Sequence, residues 1–230
     1  MLLGKGVMIN WTNAAPEDRE RYDAWQSHEH TPGRLAIPGF LRGRRYIAVS
    51  PETANRQFLT LYEVKTLEVL TSDAYLAKAN NPSPLTRATT PVVRDSVRGL
   101  ARVLASHGPG VGGCALTLRL DPRAGSENTL ETYLTRDVLP VTAQRADICG
   151  AHWIVADQDA SGMKPVERQG RAVTIPNWIV MIEGMTPQAV TKAGDALLTD
   201  AQLIANGAAP GITRDVYTLQ YLHAAQGVVG

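Results

Sequence analysis

The chain has 230 residues, of which 44% are hydrophobic and 20% are charged, and its net charge is +1. This composition is typical of a globular protein, and the near-neutral charge argues against nucleic acid as a main partner. Because no apolar run is long enough to span a membrane and the N-terminus does not resemble a signal peptide, we predict a cytoplasmic protein without a membrane partner.

The first half of the sequence predicts the order strand, helix, two strands, helix and strand. Short apolar runs indicate the strands, and an acidic stretch after Pro16 indicates the start of the first helix. The second helix begins near Leu67 and is interrupted by the sequence NNPSP. The predicted strands cover residues 5–12, 40–49, 57–64 and 97–105.

The second half repeats this order, with predicted strands at 113–120, 148–156, 178–185 and 216–223. Glu63 and Glu183 lie in matching contexts 120 positions apart (183 − 63). Nearer the start, GRRY matches GAHW at an offset of 107 (150 − 43), which aligns His152 with Arg45. The change in offset, 13 (120 − 107), predicts an insertion of that length in the second half, within the connection 157–177.

The order βαββαβ is that of a ferredoxin-like unit. We therefore predict an α+β fold in which two ferredoxin-like repeats, 1–107 and 108–230, form a pseudo-dimeric α+β barrel. Pairing the two sheets would hide the edge strands of both.

The segment YDAWQSHEHTPGRLAIPGFLRGRRY, residues 22–46, carries an aromatic helix, a His-x-Pro sequence, a Pro-Gly turn and a strand with arginine and tyrosine. This pattern resembles the EthD-like and stress-responsive members of the dimeric α+β barrel superfamily, here with a tandem duplication. The resemblance implies isomerases, lyases, cofactor-free monooxygenases or heme proteins as relatives, so it does not define the reaction.

Three residues are candidates for acid–base catalysis. His30 precedes Thr31-Pro32, so we expect it in the last turn of the helix, with a pKa near neutrality that suits proton transfer. His28 and Glu29 compete for the same role, since each lies near the aromatic face of the helix. Glu63 lies in an apolar strand, where a carboxylate needs either a partner or a function. For each of these residues a purely structural role is the alternative.

The residues that we expect to bind substrate lie on the neighbouring strands and on the aromatic helix. Arginines would hold an anionic or phenolic oxygen, and aromatic side chains would line the pocket. The candidates are Arg44, Arg45, Tyr46, Trp25, Tyr62 and His152.

The first half contains the His-Glu-His cluster and the second half does not, which predicts one main site in the first half. The leading hypothesis is a cofactor-independent enzyme, of lyase or isomerase type, acting on a small apolar or aromatic molecule. Oxygen insertion into an activated phenol or enol is also compatible with such a site. The alternatives are a metal or heme oxygenase-like protein using His28 and His30, and a non-catalytic small-molecule carrier. We predict no metal. We also predict no nucleotide cofactor, since no Gly-rich phosphate loop is present. Association of the chain with further copies remains open.

Overall fold

The computed structural model describes residues 1–52 and 54–227. Eight long strands form a closed antiparallel barrel, and one short strand pairs in parallel with one of them. In chain order the strands are β1 (Gly6–Asn13), β2 (Phe40–Ala48), β3 (Phe58–Val64), β4 (Arg94–His107), β5 (Cys114–Leu120), β6 (Ile148–Ala156), β7 (Val173–Thr174), β8 (Trp178–Gly184) and β9 (Thr213–Ala224).

The helices cover the outside of the barrel. They are α1 (Arg19–Trp25), α2 (Thr31–Leu35), α3 (Asp73–Asn80), α4 (Pro84–Thr89), α5 (Glu127–Thr132), α6 (Leu139–Ala143), α7 (Gln158–Gly162), α8 (Pro187–Leu197) and α9 (Asp200–Ala205). None of those in the described ranges has both the length and the apolar character needed to cross a membrane.

The strand order confirms the predicted architecture. Each half has the ferredoxin-like order, β4-β1-β3-β2 in the first and β9-β5-β8-β6 in the second. The halves join twice, through β2 with β9 and through β4 with β6, so the fourth strand of each half pairs with the second strand of the other. Both sheets thereby lose their free edges.

The strand register corrects one sequence alignment. Arg42 and Gly150 lie opposite Glu63 and Glu183 respectively, each just after an irregularity in its strand. Two residues further on, Arg44 and His152 therefore occupy equivalent positions. The alignment of His152 with Arg45 was wrong by one residue, which in a strand moves the side chain to the opposite face.

The first helical segment also differs from expectation. It does not end at the histidines: α1 continues through a π-helical turn, Gln26–His30, into α2, so that Pro32 lies within one continuous helix. The wider π turn accommodates proline, whose ring and missing N–H are incompatible with a regular α-helix interior. The second half repeats this arrangement with a π turn at Tyr133–Val138.

The longer connection predicted in the second half lies between β6 and β8, at residues 157–177. It contains α7, a 3-10 turn at Val166–Arg168, and β7, which pairs with β4 of the first half. This connection, here called the insertion, therefore crosses from the second half to cover part of the first.

Candidate functional site

The residues proposed from the sequence do not form one cluster. His30, Trp25 and Tyr62 line a pocket between the first-half helices and the outer face of the sheet. A second group lies buried on the inner face of the barrel and consists of Glu63, Arg44, Tyr46 and His152. The sheet separates the two groups, because successive strand residues such as Tyr62 and Glu63 point to opposite faces.

The inner group forms an ion-pair network across the two halves. Arg44 Nε lies 2.9 Å from Glu63 Oε1, and the same guanidinium contacts Glu183. Tyr46 donates its hydroxyl to Glu183 Oε1 at 3.2 Å, and His152 Nε2 lies 2.9 Å from Glu183 Oε2. Burial favours the protonated form of Glu183, but Arg44 and His152 outweigh it and lower the pKa of this carboxyl to about 2. Glu63 also accepts from Leu3 N and from Arg42, and His152 Nδ1 lies 2.9 Å from Ser106 Oγ. None of these partners lines the pocket that contains His30.

Two further candidates lie outside both groups. Arg45 donates to Asp23 Oδ1 at 2.5 Å, and its guanidinium carbon lies 4.8 Å from the ring centroids of Tyr22 and Phe58. His28 is exposed on the helix surface. The substrate-binding role of Arg45 and the catalytic role of His28 remain predictions.

The pocket of the first half is narrow, polar and lined by aromatic rings. Its cavity volume is about 30 Å³. The lining side chains come from the helix, from the outer face of β1, β3 and β4, from α3, and from the insertion. They include Asn10, Tyr22, Trp25, Gln26, His30, Arg34, Thr60, Tyr62, Tyr75, Arg98, Glu167, Arg168 and Arg171.

His30 is the member of the His-Glu-His cluster that faces this pocket. Its ring centroid lies 4.3 Å from that of Trp25 and 6.2 Å from that of Tyr62. Within the described ranges, its imidazole nitrogens have no hydrogen-bond partner. Burial, reinforced by the Arg34 guanidinium, lowers the pKa of His30 to about 3. The expectation of a pKa near neutrality is therefore corrected: in the free protein this imidazole is neutral.

Glu29 has a positioning role instead of facing the pocket centre. Its Oε1 accepts hydrogen bonds from Ser83 Oγ at 2.5 Å and from Thr86 Oγ1 at 2.7 Å. Thr86 Oγ1 in turn accepts the indole N–H of Trp25 at 3.0 Å. This chain of contacts fixes the ring against which His30 packs.

The pocket has an excess of positive charge. Arg34, Arg98, Arg168 and Arg171 contribute four cations, whereas Glu167 is the one carboxylate among the described residues of the lining. Burial alone would raise the pKa of Glu167, but the neighbouring Arg34 guanidinium lowers it to about 2, so this side chain is an anion.

Sequence reasoning missed these charged residues. Arg34 follows His30 by four positions, so helical periodicity already places the two on one face. Arg98 is a charged residue within a largely apolar strand, which is a signal similar to that of Glu63. Glu167 gives no such signal, because only tertiary packing brings the insertion to the first half.

The equivalent region of the second half is filled with apolar side chains. His30 and Val138 are each the last residue of a π turn, and Val138 is fully buried in an apolar cluster. Tyr62 and Ile182 precede the two matching glutamates, and Ile182 belongs to the same cluster. This difference supports the inference that a single polar site is built on the first half.

The proposed metal ligands do not converge. His28 is exposed, His30 lies in the pocket, and Glu63 is inside the barrel. Among residues 1–52 and 54–227, no three His, Cys, Asp or Glu side chains are arranged to hold a metal ion.

Solved structures share this architecture over nearly the whole chain. An anthrone oxidase-like protein superposes with a TM-score of 0.65 at 11% identity, covering 99% of this chain and 97% of that one. A proposed monooxygenase of Fusobacterium nucleatum gives a TM-score of 0.57 at 7% identity, with 97% and 96% covered. The fold is that of the dimeric α+β barrel proteins.

A third dimeric α+β barrel, a heme-binding protein of Thermus thermophilus, gives a TM-score of 0.51 at 11% identity and covers 94% of this chain and 91% of that one. Neither a protein-family model nor a curated protein matches the sequence. The likeness is therefore one of fold, which does not define a reaction.

Proposed function

We propose that the first-half pocket is the active site of a monooxygenase-type enzyme that oxidises a small phenolic or enolic molecule. The observation that carries the proposal is the neutral His30 imidazole, which has no hydrogen-bond partner among the described residues and faces a pocket rich in aromatic rings and arginines. The fold shared with an anthrone oxidase-like protein and with a proposed monooxygenase supports oxidation over the lyase or isomerase reaction expected from the sequence.

In this proposal His30 accepts the proton of the substrate hydroxyl or acidic carbon at an imidazole nitrogen. Arg34 and Arg98 stabilise the negative charge that then develops on the substrate. An anion next to His30 also favours the imidazolium, so the low pKa of the free protein rises once substrate is bound. Trp25 and Tyr62 hold the substrate ring beside the imidazole.

The oxidation balances without an external reductant. A phenolate with an oxidisable ring C–H reacts with O₂. One oxygen atom of O₂ becomes the second carbonyl oxygen of a quinone. The other leaves as water, together with the hydrogens of the substrate hydroxyl and of the oxidised C–H. Four electrons pass from the substrate to O₂. The protein moves the proton and excludes bulk water.

Heme does not fit the pocket as it is folded. The free volume of about 30 Å³ compares with roughly 300–1,000 Å³ for sites of drug-sized ligands and cofactors. Hydrogen bonds also fix the inner wall, where Tyr62 contacts Thr31 and Arg98 contacts Tyr75. Glu167, Arg168 and Arg171 of the insertion also close the pocket on the side away from the sheet.

The test is oxygen uptake with a panel of one-ring phenols and enols, combined with incorporation of label from ¹⁸O₂. His30→Ala should lower kcat/KM by about 10²–10⁴-fold, the range for loss of a general base. His28→Ala is the matched comparison, because it removes an exposed histidine two residues away; full activity in this variant would assign the general base to His30 and not to His28. Product formation without oxygen uptake would instead indicate the acid–base lyase or isomerase. Equal activity of His30→Ala and wild type would refute the assignment.

A further inference from the structure

The pocket holds arginine side chains that lack sufficient anionic partners. Arg34 is 3% exposed, and its Nε and Nη1 atoms have no hydrogen-bond partner within the described ranges. Arg98 is 2% exposed and donates to Tyr75 Oη at 2.8 Å and to Met8 Sδ at 3.3 Å, neither of them a carboxylate. Buried guanidinium groups with too few carboxylate partners are costly, so an anionic ligand would stabilise these side chains.

Glu167 is the anion that now occupies this position. Arg34 Nη2 donates to both of its carboxylate oxygens, at 2.6 Å and 2.5 Å. Glu167 does not belong to the wall of the first half, since the insertion carries it across from the second half. Its carboxylate therefore stands where an external carboxylate could bind the same guanidinium.

The start of the insertion is anchored to the first half, since Ser161 Oγ of α7 accepts from Leu100 N at 2.9 Å and lies 3.2 Å from Leu100 O, whereas fewer contacts hold the segment from the 3-10 turn to β7. Val166 N donates to Asn80 Oδ1 at 3.1 Å, and Arg171 Nη2 donates to Ser96 Oγ at 3.0 Å. The strand pairing between β7 and β4 covers two residue pairs. A ligand that replaces Glu167 removes the one ion pair that links the insertion to the first half among the described residues.

We propose that the pocket binds small aromatic carboxylates, and that in the free protein Glu167 occupies the place of the ligand's carboxylate as an internal competitor. The ligand's carboxylate binds Arg34 and Arg98, its ring packs against Trp25 and Tyr62, and the 3-10 turn at Val166–Arg168 moves outward. The proposal rests on the assignment of this pocket as the active site and extends it to the class of substrate.

The first experiment measures binding of benzoate, and of neutral benzyl alcohol, by titration calorimetry. Glu167→Gln should tighten benzoate binding about tenfold, because removing the competitor raises the fraction of protein able to bind. It should leave the affinity for benzyl alcohol unchanged. Glu131→Gln, an exposed glutamate in the second half, is the matched control and should change neither affinity.

An unchanged benzoate affinity in Glu167→Gln would overturn the proposal. Equal tightening for both ligands would overturn it as well, since it would show that the variant merely opens the pocket. Binding is read without turnover, so the outcome is independent of the oxygenase assay. Tighter benzoate binding in Glu167→Gln without oxygen uptake by the wild type would refute the proposed oxidation and support the anion site. Oxygen uptake without tighter benzoate binding would support the oxidation and refute the anion site.

A second measurement uses the wild-type chain, in case Glu167→Gln does not fold. The insertion contains trypsin sites at Arg168 and Arg171. Saturating benzoate should accelerate cleavage at these sites, whereas benzyl alcohol should not, because only the anion displaces Glu167. Slower or unchanged cleavage with benzoate would count against the proposal.

Discussion

His30 shows how burial changes the chemistry of one side chain. Its ring is packed between Trp25 and Tyr62 and lies near Arg34, so both desolvation and a neighbouring cation disfavour its protonated form. The pKa of His30 is about 3 in the folded protein, compared with the ordinary value of 6.5. Between pH 3 and pH 6.5, therefore, the imidazole of His30 carries a proton in the unfolded chain and is uncharged in the folded protein.

This difference predicts a pH dependence of stability. The folded pKa is lowered, so the free energy of unfolding should fall as the pH drops from 6.5 toward 3, with a contribution from His30 of up to about 1.4 kcal/mol per pH unit. His30→Asn should remove this part of the slope, and His28→Asn should not. Chemical denaturation at a series of pH values measures it. Identical slopes for His30→Asn and wild type would contradict the burial of an uncharged imidazole.

At the scale of elements, the distance between helix and sheet in the first half depends on Gly43. A Cβ at this position of β2 would lie 2.8 Å from Thr31 Cγ2 and 3.2 Å from ring atoms of Tyr62. Thr31 Oγ1 lies within hydrogen-bond distance of the hydroxyls of Tyr62, at 3.1 Å, and Tyr221, at 2.7 Å. The glycine thus allows α2 to approach the sheet closely enough for these contacts, which form one side of the pocket region.

We therefore expect Gly43→Ala to lower the free energy of unfolding by about 1–3 kcal/mol, the usual effect of overpacking. Gly162→Ala at the end of α7 is the control, because no atom lies within 4 Å of a Cβ placed there. Denaturant titrations of both variants provide the comparison. If Gly43→Ala has the same free energy of unfolding as the wild type, then α2 can move away from the sheet without destabilising the protein.

At the scale of the whole molecule, the barrel interior ties the two halves together. Arg44 of the first half contacts one glutamate from each half, Glu63 and Glu183. Arg42 also binds Glu63, with Nε and Nη2 each 2.8 Å from a carboxylate oxygen, but it is paired with no carboxylate of the second half among the described contacts. Arg44 is therefore the cation shared by both halves.

Replacing Arg44 by Met should lower the free energy of unfolding by about 3–5 kcal/mol, because it leaves buried carboxylates without their shared cation. Arg42→Met should have a smaller effect, since that side chain is partly exposed and Glu63 keeps Arg44. The loss of unfolding free energy in Arg44→Met should be smaller near pH 4, because a proton can then neutralise one of the buried carboxylates that have lost their cation. Equal losses for the two variants at neutral pH would show that the bridge between the halves is not important.

The sequence alone determined the element order, the duplication, the closed barrel and the presence of an insertion. It also predicted a functional role for His30, which stays a prediction. These features are local patterns or comparisons between the halves: strand and helix periodicity, matching glutamates, and a His-Glu-His cluster that the second half lacks. The sequence could also place Arg44 and Tyr46 on one face of β2, because strand side chains alternate.

Only the tertiary structure decided which residues meet. The irregularities in β2 and β6 set the register that pairs Arg44 with His152, and a shift of one residue reverses the face. The path of the insertion brings Glu167 to Arg34, 133 positions away in the chain. The low pKa of His30 depends on burial by residues from several elements. Each of these outcomes depends on packing between distant segments, which no local sequence pattern encodes.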